Sequence, residues 1–566
     1  MNLKPSRRQF IRDFTFTTVA VTGSLALSAC GGNSLMPVSV SFLHGVASGD
    51  PLSDRVILWT RATPSSSTDA ADISVLWEVA TDAQFTRIVK SGSVATNAAR
   101  DFTVKVDVSG LTANTRYFYR FGYDRTVSVT GNTKTLPVGK VDQVKLAVFT
   151  CSNYPAGYFN VYAEAAKLTD LDAAIHLGDY IYEYPRDGYA SKDAATLNRQ
   201  VDPKNEIITL TDYRSRYAQY RTDADLQAFH ASLPLIAVWD DHEFANDTWI
   251  GGAENHDPAT EGPFSARRAA ALQAYHEWMP VRLPDATKTD RIYRSFDFAN
   301  LVSLHMLDTR LIGRDKQLSY TSYIGAGGAF DAAKFASDMA NPARQLMGAE
   351  QTSWLQSQMG KSSATWQILG QQVLMARMNI PAPLVLQSIS FGDYTALLGK
   401  AQSAPASLTV AEKAILAQPA IPYNLDAWDG YAAARETVLG TARALDKNLI
   451  TLAGDTHNSW ASDLADMNGN AVGVEFGVTS VTSPGFEEIF ANEDPLKLAA
   501  GLEQIIGPLV YAETKNRGFM IVTATPTEAR AEWRYVSTVK SKTYSMVAGK
   551  TLKTLPGAAN RKLLAV

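Results

Sequence analysis

Three side chains that could hold a metal ion follow two short apolar segments in the first half of the chain. The segment 146–149 leads into Cys151, and the segment 173–177 leads into Asp179 and Tyr182. Between them, apolar residues recur at helical spacing, so the unit is predicted to be strand, helix, strand. Because parallel strands present their carboxyl ends at the same edge of a sheet, the thiol, carboxylate and phenol should converge there. This combination of ligands indicates a site for a hard, oxidised metal.

Other predicted strands also end in residues that could do chemistry. The polar residues that follow the apolar segments 233–239, 301–307 and 448–454 include Asp241, His242, Arg310, Asp455 and His457. The carboxylates that flank His242 should raise its pKa and favour an imidazolium that binds phosphate or donates a proton. Arg310 could bind phosphate through two hydrogen bonds, or it could stabilise a loop through a salt bridge. Together these strand ends predict an active site at one edge of a sheet.

The composition is ordinary for a globular protein and gives no sign of a nucleic-acid-binding module. Of the residues, 46% are hydrophobic and 19% are charged, as is usual for soluble globular proteins. The length of 566 residues allows two or more domains with a large core. The formal net charge of −4 does not favour a polyanionic partner. After residue 30, no segment is both apolar and long enough to span a bilayer.

Residues 1–30 have the features of an export signal. Arg7 and Arg8 precede a mildly apolar segment, a pattern that resembles a signal for the twin-arginine export machinery. The tetrapeptide that ends at Cys30 is typical of a lipobox, in which cleavage leaves this cysteine as a lipidated first residue. We therefore expect an exported lipoprotein of the periplasm or cell envelope that contacts the membrane only through this lipid. Cys151 would then have no partner for an intramolecular disulfide.

Two folded domains are predicted beyond the signal. Residues 41–137 contain short segments in which apolar and polar residues alternate, which indicates β-strands. The turn at 110–117 resembles the tyrosine corner of immunoglobulin-like and fibronectin type III sandwiches. From 144 to 566, apolar strand-like segments alternate with helical ones. The expected architecture is a small β-sandwich followed by a larger α/β domain.

Six motifs give the chain a family resemblance. HGVASGDP, GDYIYEY, WDDHE, LDTR, WDGY and GDTHNSW occur in the order found in the PhoD-like alkaline phosphatases, from about His44 to nearly the C-terminus. The resemblance implies the calcineurin-like metallophosphoesterase fold, a four-layer αββα domain in which two packed sheets are flanked by helices. It also implies two cofactors, Fe³⁺ and Ca²⁺.

The resemblance further implies which residues hold the metals. Carried onto matching positions, the candidate ligands are Cys151, Asn153, Asp179, Tyr182, Asp241 and Asp455. Cys151, Asp179 and Tyr182 would bind iron, and Asp179 would bridge to a neighbouring calcium. Asp241 would bind calcium, an ion that prefers oxygen ligands. Adjacent cations could clamp a phosphate and stabilise the attacking and leaving oxygens of an in-line displacement.

The implied reaction is hydrolysis of phosphate mono- and diesters at alkaline pH by a metal-bound hydroxide, which would serve phosphate acquisition. His242 would contact the phosphate or the leaving group, and Asp455 and His457 would complete the metal cluster or hold the phosphate. Phospholipid or teichoic-acid-like diesters are further candidate substrates. One alternative is a phospholipase D-like phosphodiesterase. The other is a surface adhesion lipoprotein with an inactive phosphoesterase domain. The presence of all the candidate ligands argues against this alternative, because an inactive domain would be expected to lose at least one.

Overall fold

Two mixed β-sheets form the centre of the structure, a computed structural model that describes residues 39–66, 72–325 and 330–566. The first sheet has ten strands in the spatial order Leu564–Ala565, Met546–Thr554, Ala529–Val536, Arg517–Ala524, Val144–Phe149, Ala173–His176, Leu235–Ala237, Val46–Gly49, Arg55–Arg61 and Thr103–Ser109. The second has seven, in the order Arg294–Phe298, Val302–Met306, Trp366–Gly370, Leu449–Ala453, Ala471–Gly477, Ser459–Ala465 and Leu509–Glu513. The predicted export signal and Cys30 lie outside the described residues.

A third sheet packs on one end of the first and completes a β-sandwich. Its strands are Gly131–Lys134, Arg116–Tyr123, Ile73–Ala80 and Ile88–Thr96, with Thr126–Val127 paired beside the second of these. Leu58 of the first sheet and Phe121 of the third belong to one buried core. The backbone N–H of Thr112 donates a hydrogen bond to the Tyr117 hydroxyl at 2.8 Å, which is the contact that defines a tyrosine corner. The sequence prediction of this motif is confirmed.

The sandwich and the α/β part of the chain share the first sheet. The strand Val46–Gly49 pairs with Leu235–Ala237 in parallel, with Gly49 opposite Leu235. Next to this pairing, the buried carboxylate of Asp50 forms a salt bridge with Arg294 at 2.6 Å. Residues 40–566 form one compact unit. The sequence did not predict this continuity, because strand patterns do not reveal which strands pair across a long stretch of chain.

Helices cover the two central sheets, as the α/β pattern predicted. Their bounds are Asn160–Ala165, Leu210–Tyr220, Ala224–Ser232, Pro258–Glu261, Phe264–Trp278, Ala332–Met339, Gly348–Lys361, Ala382–Val385, Phe391–Ser403, Val410–Leu416, Ala432–Ala444, Phe486–Ile489 and Pro495–Ile505. Short 3₁₀ helices occupy Ala98–Arg100, Tyr154–Ala156, Tyr320–Tyr323, Pro405–Ser407, Trp428–Tyr431 and Ala558–Asn560. Two further strand pairs join Val40–Ser41 to Thr63–Pro64 and Asn379–Pro381 to Ala420–Pro422.

The packing of these helices is apolar. Phe229 of one helix meets Phe149 of the first sheet, with 4.9 Å between ring centroids. On the second sheet, Leu355 and Leu439 from two helices share a buried core with Leu369. Within the described ranges, no helix is long and apolar enough to cross a membrane.

Candidate active site

The predicted ligands meet where the strands of the two central sheets end. Cys151 and Asp179 follow two adjacent parallel strands of the first sheet, and Asp455 follows a central strand of the second. The chain turns sharply after each strand, since the φ angles of Cys151, Asp179, Asp455 and His457 are 58°, 57°, 63° and 62°. Such left-handed conformations cost non-glycine residues roughly 1–3 kcal/mol each and are concentrated at functional sites. The surrounding fold therefore holds these side chains in place at an energetic cost.

Two glycines allow the turning loops to approach one another. A Cβ atom on Gly178 would lie 2.4 Å from the Cβ of Asp240, and the φ of Gly178 is 112°. A Cβ on Gly454 would lie 2.4 Å from Oγ1 of Thr150. Both distances are far below van der Waals contact, so only glycine fits. Each glycine directly precedes a predicted metal ligand.

Three groups of side chains could each hold a metal ion, and the groups share members. They are Cys151, Asp179 and His457; Asp179, Asp241 and His242; and Asp240, Asp241 and Asp455. Within each group, one ligand atom from every residue lies within 4.8 Å of the others. Asp179 belongs to the first two groups and Asp241 to the last two. The carboxylates therefore link three neighbouring positions for cations.

Tyr182 contacts two members of the first group, Asp179 and His457. Its hydroxyl donates a hydrogen bond to Oδ2 of Asp179 at 2.9 Å and accepts one from Oγ of Ser483 at 2.7 Å. The same hydroxyl is 3.2 Å from Nε2 of His457. The structure thus brings together the phenol, carboxylate and thiol that the family resemblance implied for iron, and adds an imidazole.

Several buried polar atoms of the site have the properties of metal ligands. Both polar atoms of the Asn153 side chain and Oδ1 of Asp179 are buried and find no hydrogen-bond partner among the described residues. Buried polar atoms are rarely left in this state unless an ion or water completes their contacts. Burial also raises the pKa values of Cys151, Asp179 and Asp455, because their charged forms lose solvation. A bound cation would offset that loss, so the residues present fit a metal.

His242 is a cationic group at the second position. Burial alone lowers its pKa, but the charges of Glu183, Asp179 and Asp241 outweigh this effect and raise the pKa well above the ordinary value. Nδ1 of His242 lies 2.7 Å from Oε2 of Glu183, and the imidazole stacks on Tyr182 at 4.3 Å between ring centroids. The direction of the pKa shift is the one expected from the sequence. An imidazolium here can bind a phosphate oxygen or donate a proton.

His457 has the opposite character. Burial lowers its pKa to about 3, so the imidazole is neutral at physiological pH. Its Nδ1 donates a hydrogen bond to the carbonyl of Pro484 at 2.7 Å, which leaves the lone pair on Nε2. Neutral imidazoles oriented by such a bond are common metal ligands. The geometry therefore suits His457 to the metal cluster, one of the two roles that the resemblance implied.

The guanidinium of Arg310 contacts four aspartates of the site. Arg310 is fully buried, and its guanidinium donates to Asp240, to Oδ2 of Asp426 at 2.8 Å and to Oδ1 of Asp455 at 3.3 Å. It also lies 3.5 Å from Oδ1 of Asp241. These contacts favour the salt-bridge role that the sequence left open. Phosphate binding by Arg310 stays a prediction.

Sequence reasoning missed two glutamates that organise the site. Glu183 holds His242 as described above. Glu243 is fully buried, and its carboxylate accepts hydrogen bonds from the backbone N–H groups of Asp179, Tyr180 and Asp240 at 2.9, 2.6 and 2.7 Å. Glu243 thus joins the loops that carry both Asp179 and Asp241. The available signal was position, because both glutamates lie within motifs that also contain predicted ligands.

Comparison with known proteins identifies the family. Residues 146–533 match the sequence profile of PhoD-like phosphatases, and residues 29–137 match the profile of the N-terminal domain of these phosphatases. The chain belongs to the PhoD-like phosphatase family. The first match covers more than half of the chain, and the second contains the β-sandwich.

Two relatives of this PhoD-like chain agree with the assignment. Alkaline phosphatase D of Bacillus subtilis (strain 168) is 36% identical over 553 residues, which are 93% of this chain and 84% of the relative. A solved structure of PhoD is 33% identical and superposes with a TM-score of 0.76, covering 94% of this chain and 93% of the other. The predicted fold and the predicted class of enzyme, a phosphoric ester hydrolase of the PhoD type, are confirmed.

Proposed function

We propose that this chain is an exported alkaline phosphatase and phosphodiesterase that uses Fe³⁺ and Ca²⁺ to release phosphate from esters outside the cytoplasm. The observation that carries the proposal is the sharing of Asp179 and Asp241 among three groups of possible metal ligands. Shared carboxylates are typical of sites in which neighbouring cations act on one phosphate.

The donor atoms support a division between two kinds of ion. Cys151, Asp179 and Tyr182 offer sulfur, carboxylate and phenol, and their anionic forms would compensate the charge of Fe³⁺. Asp241 and Asn153 offer oxygen atoms, which suit Ca²⁺. When bound, the cations would polarise the phosphate as Lewis acids and neutralise its charge.

The chain's own residues orient the ester and move protons. Glu183 fixes the imidazole of His242 through the 2.7 Å contact and keeps it protonated. The His242 imidazolium can donate a hydrogen bond to the phosphate or a proton to the departing alkoxide. Arg310 holds Asp240, Asp241 and Asp455 at fixed separations. This preorganisation means that little has to move during the reaction.

Hydrolytic activity is tested with the purified full-length chain. We expect p-nitrophenyl phosphate and bis(p-nitrophenyl) phosphate to be cleaved at alkaline pH, activity to vanish on chelation, and Fe³⁺ plus Ca²⁺ to restore it. His242→Asn should lower kcat by about 10²-fold or more. His276→Asn is a control, since the His276 ring bonds to the Thr289 carbonyl outside the site. Full activity after complete metal removal would contradict the proposal.

Export is tested separately in cells. The proposal rests on the paired arginines and on the tetrapeptide that ends at Cys30. The double substitution Arg7→Lys and Arg8→Lys should leave the protein in the cytoplasm, and Cys30→Ser should release the exported protein from the membrane fraction. An unchanged distribution in both variants would contradict export as a lipoprotein.

A further inference from the structure

An apolar cavity of about 670 Å³ is lined in part by Phe486, which contacts a loop of the candidate active site. Its walls include Ile380, Leu384, Phe391, Tyr423, Phe486 and Phe490. Among its described lining residues there is no lysine or arginine. The two carboxylates in its lining are already engaged, since Asp393 accepts from Oγ of Ser390 and Glu493 accepts from the backbone N–H of Gly392. The cavity is therefore suited to an uncharged apolar group and unsuited to a phosphate.

One wall of this cavity is shared with a second cavity near the metal-binding region. Tyr423 also lines a second cavity of about 470 Å³, whose lining includes Asp247 and Asp426. Asp426 accepts hydrogen bonds from Arg310, and the backbone N–H of Asp247 donates to Oδ2 of Asp241 at 2.6 Å. Tyr423 therefore lies between the apolar cavity and a second cavity that is connected to the candidate site through Asp426 and Asp247.

The neighbouring part of this wall is hydrogen-bonded to the segment that follows His457. The backbone N–H of Phe486 donates to Oδ1 of Asn458 at 3.2 Å. Two residues before Phe486, the Pro484 carbonyl accepts the hydrogen bond of His457. The ring of Phe486 packs edge-on against Tyr423, with 5.5 Å between centroids. Tyr423 and Phe486 thus form one side of the apolar cavity, and the active-site loops hold this side through Phe486.

We propose that this cavity binds an apolar alkyl group of a phosphate diester whose phosphate lies in the metal centre. The inference rests on the proposed hydrolase function and specifies the class of substrate. Hydrolysis would break one ester P–O bond, with water supplying the hydroxyl to phosphorus and a proton to the leaving alcohol. The alkyl group on the other ester oxygen would stay in the cavity. Removing each methylene from water would favour the longer ester by up to about fourfold.

The test uses methyl, butyl and octyl p-nitrophenyl phosphate diesters with the metal-replete full-length enzyme. We expect kcat/KM for release of p-nitrophenolate to rise with chain length, by up to about fourfold per methylene. This series needs no variant, so it does not depend on any mutant folding. A short-chain phospholipid forms a second arm. Its cleavage would identify lipids as the source of the alkyl group, and cleavage of the octyl diester alone would identify soluble esters.

A matched pair of variants locates the effect. Leu384→Glu places a charge in the cavity wall, and we expect it to abolish the increase of kcat/KM with chain length. Leu386→Glu makes the same substitution two residues later, on the wall of a different cavity, and should retain the increase. Thermal unfolding of both variants shows whether they are folded.

The outcomes separate this inference from the proposed function. Cleavage of every diester with the same kcat/KM would overturn the cavity inference and leave the hydrolase intact. A rise with chain length that persists in Leu384→Glu would also overturn it, because the alkyl group would then bind elsewhere. No cleavage of any diester or of p-nitrophenyl phosphate by the metal-replete enzyme would overturn the proposed function itself.

Discussion

The carboxylate of Glu183 lies 2.7 Å from Nδ1 of His242, and both side chains are buried at the edge where the central strands end. The other oxygen of Glu183 accepts hydrogen bonds from the backbone N–H of Asn246 at 2.7 Å and from Nδ2 of Asn255 at 3.0 Å. The carboxylate is therefore held from two sides. It orients the imidazole and keeps its pKa high.

Replacing Glu183 by glutamine should weaken catalysis and change its pH dependence. The negative charge that raises the pKa of His242 is removed, so this pKa falls and the imidazolium is lost at lower pH. We expect kcat/KM to decrease about 10- to 100-fold and the alkaline limb of its pH profile to move to lower pH. The control is Glu254→Gln, since Glu254 bonds to the side chain of the same Asn246 from an exposed position. An unchanged profile in Glu183→Gln would show that His242 does not act as a cation.

Glu243→Gln should loosen the metal site without removing a ligand. The glutamate accepts three backbone N–H groups, whereas a glutamine offers one acceptor oxygen and turns an N–H₂ group toward the remaining donors. We expect metal affinity to fall about 10- to 100-fold and stability to decrease by about 1–3 kcal/mol. Metal titration and urea unfolding measure the two effects. Equal metal affinity in the variant and the parent would mean that Glu243 does not position Asp179.

Much of this arrangement could be predicted from the sequence, because strands and their ends are encoded locally. The apolar segments before Cys151, Asp179 and Asp455 predicted three strands, and all three were confirmed. The importance of Glu183 and Glu243 for the site could not be predicted in the same way. Their importance comes from contacts with residues on other loops, and a glutamate in a motif looks the same whether it is solvated or buried.

The role of Arg310 shows the same limit. Its position after a strand suggested an active-site group, yet a strand end does not reveal whether a guanidinium faces a substrate or four carboxylates. Arg310 packs against aspartates from loops more than 65 residues away along the chain, at positions 240, 241, 426 and 455. Contacts of that range depend on the complete fold.

Arg310→Gln should destabilise the metal-free protein strongly. The substitution leaves Asp240, Asp241 and Asp455 buried together without their counter-ion. Breaking a buried ion pair in this way typically costs about 3–5 kcal/mol. Arg268→Gln removes the partner of the exposed Asp290 and should cost about 1 kcal/mol or less. Urea unfolding compares the two variants, and similar losses would contradict the proposed role of Arg310.

Adding Fe³⁺ and Ca²⁺ should stabilise Arg310→Gln more than the parent protein. Bound cations would replace part of the missing positive charge among the aspartates. The urea unfolding midpoints with and without the ions give the comparison. A smaller gain in the variant than in the parent would mean that Arg310 is required for the metals to bind.

Gly178→Ala should separate the two loops that Gly178 brings together. The added Cβ would meet Asp240 at 2.4 Å in a backbone conformation with φ of 112°. Gly262 has a φ of 79°, but a Cβ there would meet nothing within 4 Å, so Gly262→Ala isolates the conformational cost of about 1–3 kcal/mol. We expect Gly178→Ala to lose about 1–3 kcal/mol more and also to lose metal affinity. Equal losses in the two variants would show that the loops tolerate the larger separation.

The most direct test of the account is the metal content and visible spectrum of the protein purified through its own export route. We predict iron and calcium together, with a tyrosinate-to-iron absorption band that disappears in Tyr182→Phe. The band should persist in Tyr184→Phe, a neighbouring tyrosine whose ring packs 5.4 Å from that of His242. Zinc or manganese without such a band would contradict the roles of Cys151 and Tyr182 and point to a different two-metal site.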